Sequence, residues 1–200
     1  MINKLSKYLT EKLLSNGDID KNEQELYVYG LFMLISHLML FVLSCIFSLI
    51  FGCLFEGISF YIAFQLIRKY AGGYHASTET ACEIMSTLSV LVCIIFIKLS
   101  ITYSFQLPLL IITIISAVTI FVLCPLDTPE KPLTKKEYHY FRKISWVILL
   151  VLLALMILSY IFKWKVLFAP VCLSLILESI LLIAGRIKKI YQRKKNIVIN

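Results

Sequence analysis

The chain is 200 residues long, 60% hydrophobic and only 16% charged, against roughly 45–50% apolar and 25% charged in an average soluble domain. That leaves too few polar residues to cover the outside of a globule, so a soluble fold is excluded and a lipid bilayer is the expected solvent. The net charge of +8 falls in short segments between long apolar runs, a pattern that orients a membrane protein and argues against nucleic acid as a partner.

Residues 1–25 are mostly polar and carry both signs of charge. They lack the apolar core and small-residue cleavage site of a secretory signal, so no leader is expected to be removed. Ile2, Leu5, Leu9 and Leu13 recur at helical spacing, with Lys4, Lys7, Glu11 and Lys12 elsewhere on the wheel. This predicts an amphipathic helix over residues 2–15, lying on the cytoplasmic surface and ended by Asn16-Gly17.

A bilayer-spanning helix needs about 20 mostly apolar residues. Stretches at about 27–50, 53–67, 84–102, 107–123, 145–162 and 166–185 qualify, with Gly52, Glu56 and Gly57 marking the turn between the first two. The second stretch has only eleven uncharged residues between Glu56 and Arg68. It either crosses at a tilt or dips and returns as a re-entrant piece. The expected fold is therefore an all-α integral membrane protein of about six transmembrane or re-entrant helices, plus the N-terminal interfacial helix.

Lys and Arg set the orientation. With both ends in the cytoplasm, the inner segments hold Lys4, Lys7, Lys12 and Lys21, then Arg68 and Lys69, then Lys131, Lys135, Lys136, Arg142 and Lys143, and finally Arg186, Lys188, Lys189, Arg193, Lys194 and Lys195. Only Lys98, Lys163 and Lys165 are left outside. Moving the parity by one span destroys this positive-inside bias, and Trp146 and Trp164 then fall at opposite faces as interfacial anchors.

The six cysteines, Cys45, Cys53, Cys82, Cys93, Cys124 and Cys172, include no CxxC pair, which argues against a zinc site or a disulfide framework. Five sit in apolar surroundings and read as small hydrophobic filler. Cys82 differs, because residues 68–82 (RKYAGGYHASTETAC) bring a histidine, a thiol, paired glycines and charge together. Gly72-Gly73 should break the helix leaving the second stretch, and Ser77 or Thr78 can cap the next one. A thiol in that first turn lies at the positive end of the helix dipole, which favours thiolate, and a nearby imidazole can take its proton. On one straight helix His75 and Cys82 would lie about 10 Å apart. A working pair therefore requires His75 in a loop ahead of the helix.

Residues 68–82 resemble the signature of the accessory gene regulator B (AgrB) family, membrane proteases of Gram-positive quorum sensing. In that signature a basic residue, a glycine turn, a histidine and a cysteine seven residues later precede a transmembrane helix. Residues 22–29 (NEQELYVY) and 124–133 (CPLDTPEKPL) are similar to other recurring segments of the family, and length and hydropathy agree over nearly the whole chain. The resemblance implies a cysteine endopeptidase of the bacterial cytoplasmic membrane, with its active site facing the cytoplasm. It would remove the C-terminal tail of a short AgrD-like precursor. Cys82 would be the nucleophile and His75 the general base and acid, needing neither metal nor nucleotide. The thioester acyl-enzyme would pass to a thiol of the precursor, closing a thiolactone. Arg68, Lys69, Gly73 and Lys131, with Lys135 and Lys136 beyond, would meet the substrate, whose end is acidic. Some relatives carry a denser lysine run where this chain has Glu130-Lys131-Pro132. The resemblance also implies a homodimer.

The implied organisation is a cytoplasmic amphipathic segment at 1–25, a single transmembrane catalytic domain at 26–187 and a basic cytoplasmic tail at 188–200. His37 and Glu178 lie within spans, where a packing hydrogen bond or a neutral carboxyl is the plain reading and a functional role the other. His37 is about 15 Å along its helix from the inner end, too far to serve as the base. His139 is expected to be solvated, and Glu79 and Glu83 receive no role. The rival to an enzyme is a membrane carrier or scaffold that binds an amphipathic peptide through the same basic loops and has no use for the thiol.

Overall fold

A computed structural model of the chain describes residues 2–74, 76, 78–103, 105–127 and 133–199. Those residues form seven α-helices: α1 (Ile2–Ser15), α2 (Gln24–Ile50), α3 (Leu54–Ala71), α4 (Glu79–Tyr103), α5 (Gln106–Leu123), α6 (Lys135–Ile161) and α7 (Lys165–Ile199). No strand forms among the described residues; one isolated bridge pairs Gly72 with Leu126. The expected all-α membrane fold is what is found. Five helical segments, Lys21–Ile50, Thr80–Tyr103, Gln106–Leu123, Lys135–Ile161 and Lys165–Gln192, are long and apolar enough to cross a bilayer.

The chain divides into two compact units, Met1–Leu43 and Ser44–Asn200. In the first, α1 occupies the range that periodicity predicts. It ends in a paired reverse hydrogen bond, Asp18 N to Leu13 O and Gly17 N to Leu14 O, both at 3.1 Å, with Gly17 at φ 79°. This is a glycine-terminated helix end in which only a residue without Cβ adopts the left-handed turn at no cost. Leu5 and Tyr8 of α1 are exposed, as are Lys4 and Lys7.

In the second unit, the same type of stop ends α2: Cys53 N donates to Ser48 O at 2.8 Å and Gly52 N to Leu49 O at 3.0 Å. α3 then runs unbroken to Ala71, four residues past the sequence estimate, because Arg68, Lys69 and Tyr70 are good enough helix formers to continue until Gly72. Its 18 residues cover about 27 Å, close to the hydrocarbon thickness. One end lies by Gly52, where an added Cβ would come 3.9 Å from Lys98 Nζ near the end of α4. At the other end Ala71 O accepts from Leu126 N, just beyond α5, at 2.8 Å. α3 thus passes from one end of the bundle to the other, and its three charged residues, Glu56, Arg68 and Lys69, sit at its two ends.

α7 is the hub. It packs against α3, α5, α6 and α4, and 67% of its membrane window is buried, against 17% to 28% for the other four candidate spans. A helix apolar on all sides is the kind that bundles place at the centre. Ile67, Ile120, Leu149, Leu152, Val171, Cys172, Leu175 and Leu182 form the core around it. The outward faces remain apolar, as with Ile111, Ile115, Val118 and Val122 of α5, which water would not tolerate over so large a patch. α6 starts with a capping box in which Thr134 Oγ1 accepts from Glu137 N at 3.3 Å and Glu137 Oε2 accepts from Thr134 N at 2.9 Å. The polar turns that follow lengthen α6 at its basic end beyond the apolar stretch seen in sequence.

Candidate functional site

One end of the second unit gathers the end of α3, the start of α4, the turn after α5 and the last apolar turns of α7. The segment joining α3 to α4 is built by backbone contacts. Gly72 caps α3 at φ 78°, ψ −145°, its N–H donating to Arg68 O. An added Cβ there would stand 2.4 Å from Leu126 O. Gly73 is buried, has φ 131°, and a Cβ on it would fall 1.8 Å from Arg68 Nη1. Tyr74 N then donates to Leu181 O of α7 at 3.0 Å. Where the strand-like segment crosses α7 the helix has Gly185, whose missing Cβ leaves room for Tyr74 N and Gly73 C, otherwise 2.9 and 3.0 Å away.

Arg68 turns inward beneath this segment. Its Nη1 donates to Gly72 O at 2.6 Å and its Nη2 to Tyr74 O at 2.7 Å, short charge-assisted bonds that fix the carbonyl directions on either side of Gly73. Its Nη1 also lies 3.8 Å from Glu178 Oε1, with side-chain exposures of 18% for Arg68 and 0% for Glu178. Removing one member of such a buried pair leaves the other uncompensated, at a cost of about 3–5 kcal/mol. Lys69, the next residue, is exposed, with its ammonium 5.4 Å from the Tyr70 ring centre.

α4 opens at Thr78. Its Oγ1 accepts from Ala81 N at 3.3 Å and its carbonyl accepts from Cys82 N at 3.1 Å. Cys82 is therefore the residue whose amide begins the helical ladder, and its side chain is half-buried. By contrast Cys53, Cys93, Cys124 and Cys172 are buried and Cys45 is half-buried, all six thiols being free. His75 and Lys131 lie outside the described residues, as does Ser77. Of the residues singled out in sequence, the structure thus brings Arg68 and Gly73 into direct contact, leaves Lys69 at the surface, and sets Cys82 at the adjoining helix start.

The turn after α5 supplies the second side of this end. It contains a cis Cys124-Pro125 bond, buried Leu126 against Ala71 and Gly72, and Asp127, which pairs with Lys189 of α7. His139 is exposed, its ring nitrogen against Lys135 O at 2.8 Å. At the opposite end of the unit a shallow hollow is lined by Ser100, Gln106, Lys163, Trp164 and Lys165. Trp146, bonded to Phe121 O at 3.2 Å, and Trp164 thus mark opposite ends.

Sequence reasoning did not find Leu126, Leu181, Gly185 or the Asp127–Lys189 pair, and it gave Glu178 no specific partner. Glu178 had a signal: an acid inside an apolar span needs a partner, and Arg68 ends the neighbouring apolar stretch.

The family model for accessory gene regulator B matches residues 2–182. The chain belongs to that family. It is similar to AgrB-like protein 2 of Clostridium perfringens strain 13, at 30% identity over 88% of this chain and 86% of the relative. An AgrB-like protein of C. perfringens strain SM101 is also 30% identical, over 88% of this chain and 87% of its own length. Protein FsrB of Enterococcus faecalis is 25% identical over 83% of this chain and 69% of FsrB. No solved structure matches the chain.

Proposed function

We infer that this AgrB family member is a membrane cysteine endopeptidase of quorum sensing, and that it trims the C-terminal tail of a short AgrD-like precursor peptide. The observation that carries the reading is the place of Cys82. It stands half-buried where α4 begins, in the stretch of chain that follows a segment whose backbone is tied to α3 and α7. Such a position offers a thiol the positive end of a helix dipole while leaving it open to a peptide.

In this reading Cys82 thiolate attacks the scissile carbonyl carbon. A C–S bond forms, the C–N bond breaks, and the departing amine takes the proton that His75 accepted from the thiol. A thiol inside the precursor then gives its proton to His75, neutral again after protonating the amine, and attacks the thioester. One C–S bond replaces another, Cys82 leaves as thiolate, and the product is a thiolactone. Arg68 and Gly73 shape the floor against which the peptide lies, while Lys69 and Lys131 attract its acidic tail. Seventeen of the 20 Lys and Arg residues lie in segments that the positive-inside rule assigns to the cytoplasm, and the site shares that side. A pair of chains is the proposed working unit.

Co-expression of the chain with its precursor tests the reading. Cys82→Ala and His75→Ala are each expected to abolish cleavage with the protein still in the membrane, and mass spectrometry should find an acyl adduct on Cys82. Unchanged processing in both variants would favour a peptide carrier instead.

A further inference from the structure

Glu178 lies in α7 three residues before Leu181, whose carbonyl holds the Tyr74 amide. It is fully buried, and neither carboxylate oxygen has a hydrogen-bond donor among the described residues. A carboxylate kept at that depth in an apolar helix calls for a role or a partner. Its ion-pair partner is Arg68, at 3.8 Å, too far for a hydrogen bond. Arg68 spends its donors elsewhere, on the carbonyls of Gly72 and Tyr74. The carboxyl group therefore faces the guanidinium without a hydrogen bond, while the loop backbone is held to Arg68 by two.

We propose that Glu178 is a positioning residue of the candidate site: its charge holds the Arg68 guanidinium under residues 72–74, and Arg68 transmits that placement to the segment leading to Cys82. The proposal rests on the protease reading for its consequence and on the geometry above for its existence. An Arg at position 68 suits the task because the planar fork meets two carbonyls at once, which an ammonium on a flexible stem does not. An acid at position 178 suits it because the cation would otherwise be drawn toward the water at the bundle end, where a long side chain readily reaches. Gly73 makes the arrangement possible, since any Cβ there would occupy the place of Arg68 Nη1.

The variants that separate charge from packing are Glu178→Gln, nearly the same shape without the charge, and Glu178→Asp, which keeps the charge on a shorter stem. The full chain, reconstituted in lipid vesicles, is followed by hydrogen exchange of the peptide containing residues 70–82 and by precursor cleavage. In Glu178→Gln, exchange at residues 72–74 should rise at least tenfold, and kcat for cleavage should fall on the order of 100-fold with KM little changed. Exchange in α5 and α6 should stay as in the native chain. Glu178→Asp should recover to within about tenfold of native cleavage, and Arg68→Lys should behave as Glu178→Gln. A double Arg68→Met, Glu178→Leu variant, expected to fold because paired charges are replaced together, should still show the loosened loop. Native exchange at residues 72–74 in Glu178→Gln overturns the proposal whatever happens to cleavage, as does a rise spread evenly over all helices. If instead cleavage proves independent of Cys82 while the loop loosens as described, the clamp stands and the protease reading falls.

Discussion

Replacing Gly185 by alanine isolates the fit of the loop to α7. The new Cβ would lie 2.9 Å from Tyr74 N, 3.0 Å from Gly73 C and 2.5 Å from Leu126 Cδ2, whereas unstrained carbon contacts sit at about 3.5–4.0 Å. The leucine methyl is the free end of a side chain and can turn away. The two backbone atoms cannot, so residues 73–74 must retreat by about 0.5–1 Å. The Tyr74 N to Leu181 O bond, now 3.0 Å, then stretches to about 3.5–4 Å, beyond hydrogen-bonding range. A misplacement of about 1 Å in a catalytic constellation costs on the order of 100-fold in rate, or about 2.7 kcal/mol of barrier. The helix itself gains roughly 0.5–1 kcal/mol from alanine over glycine, so unravelling of α7 is not the expected cause. The measurement is single-turnover acylation of Cys82 by the precursor in reconstituted vesicles, with thermal unfolding of the same sample alongside. Native acylation in Gly185→Ala would refute the claim that this contact sets the loop, and a falling melting temperature would assign the loss to the bundle instead.

Gly73→Ala should be at least as damaging, more than about 100-fold in cleavage, because its Cβ displaces Arg68 Nη1 from 1.8 Å and its φ of 131° suits no other residue; membrane yield and cleavage by immunoblot read both halves of that expectation. Thr78→Ala removes a long, 3.3 Å cap, so α4 should lose about 0.5–1 kcal/mol at its first turn. Hydrogen exchange there should rise about two- to fivefold, and an unchanged rate would show the cap to be inert. Asp127→Asn breaks a partly exposed pair with Lys189 worth about 0–1 kcal/mol. Cleavage should drop no more than about fivefold, raised salt should lower native activity in the same direction, and the Asp127→Lys, Lys189→Asp exchange should restore it.

Hydropathy and glycine placement made most of the fold legible. Asn16-Gly17 and Gly52 stop helices where the sequence says, since a left-handed turn is nearly a glycine monopoly. α3 ran longer than read because charges that end an apolar window do not end a helix; Arg68 and Lys69 continue it and Gly72 stops it. α6 and α7 likewise continue into polar turns at the basic end. The start of α4 at Glu79 followed from Ser77-Thr78. What could not be read was which distant segment receives the loop. The bonds from Tyr74 to Leu181 and from Leu126 to Ala71 are made by backbone groups, which every residue possesses and no side-chain pattern announces. Gly185 looked like one more small residue in an apolar helix, and only the close approach of another backbone distinguishes it.

On the proposed reading, the arrangement answers two opposed demands on a nucleophile at a membrane boundary. A peptide from the aqueous side must reach the thiol, which forbids deep burial and leaves Cys82 in the half-open first turn of α4. The groups that act with it must nevertheless hold a fixed geometry, which a surface loop with two glycines does not supply by itself. The order is borrowed from α7, the most buried helix of the bundle, through one carbonyl at Leu181, one missing side chain at Gly185 and one charge at Glu178 relayed by Arg68. Substitutions deep in α7 are therefore expected to alter chemistry at α4, whereas those on its lipid-facing side, such as Ile180 or Ile183, should leave it unchanged.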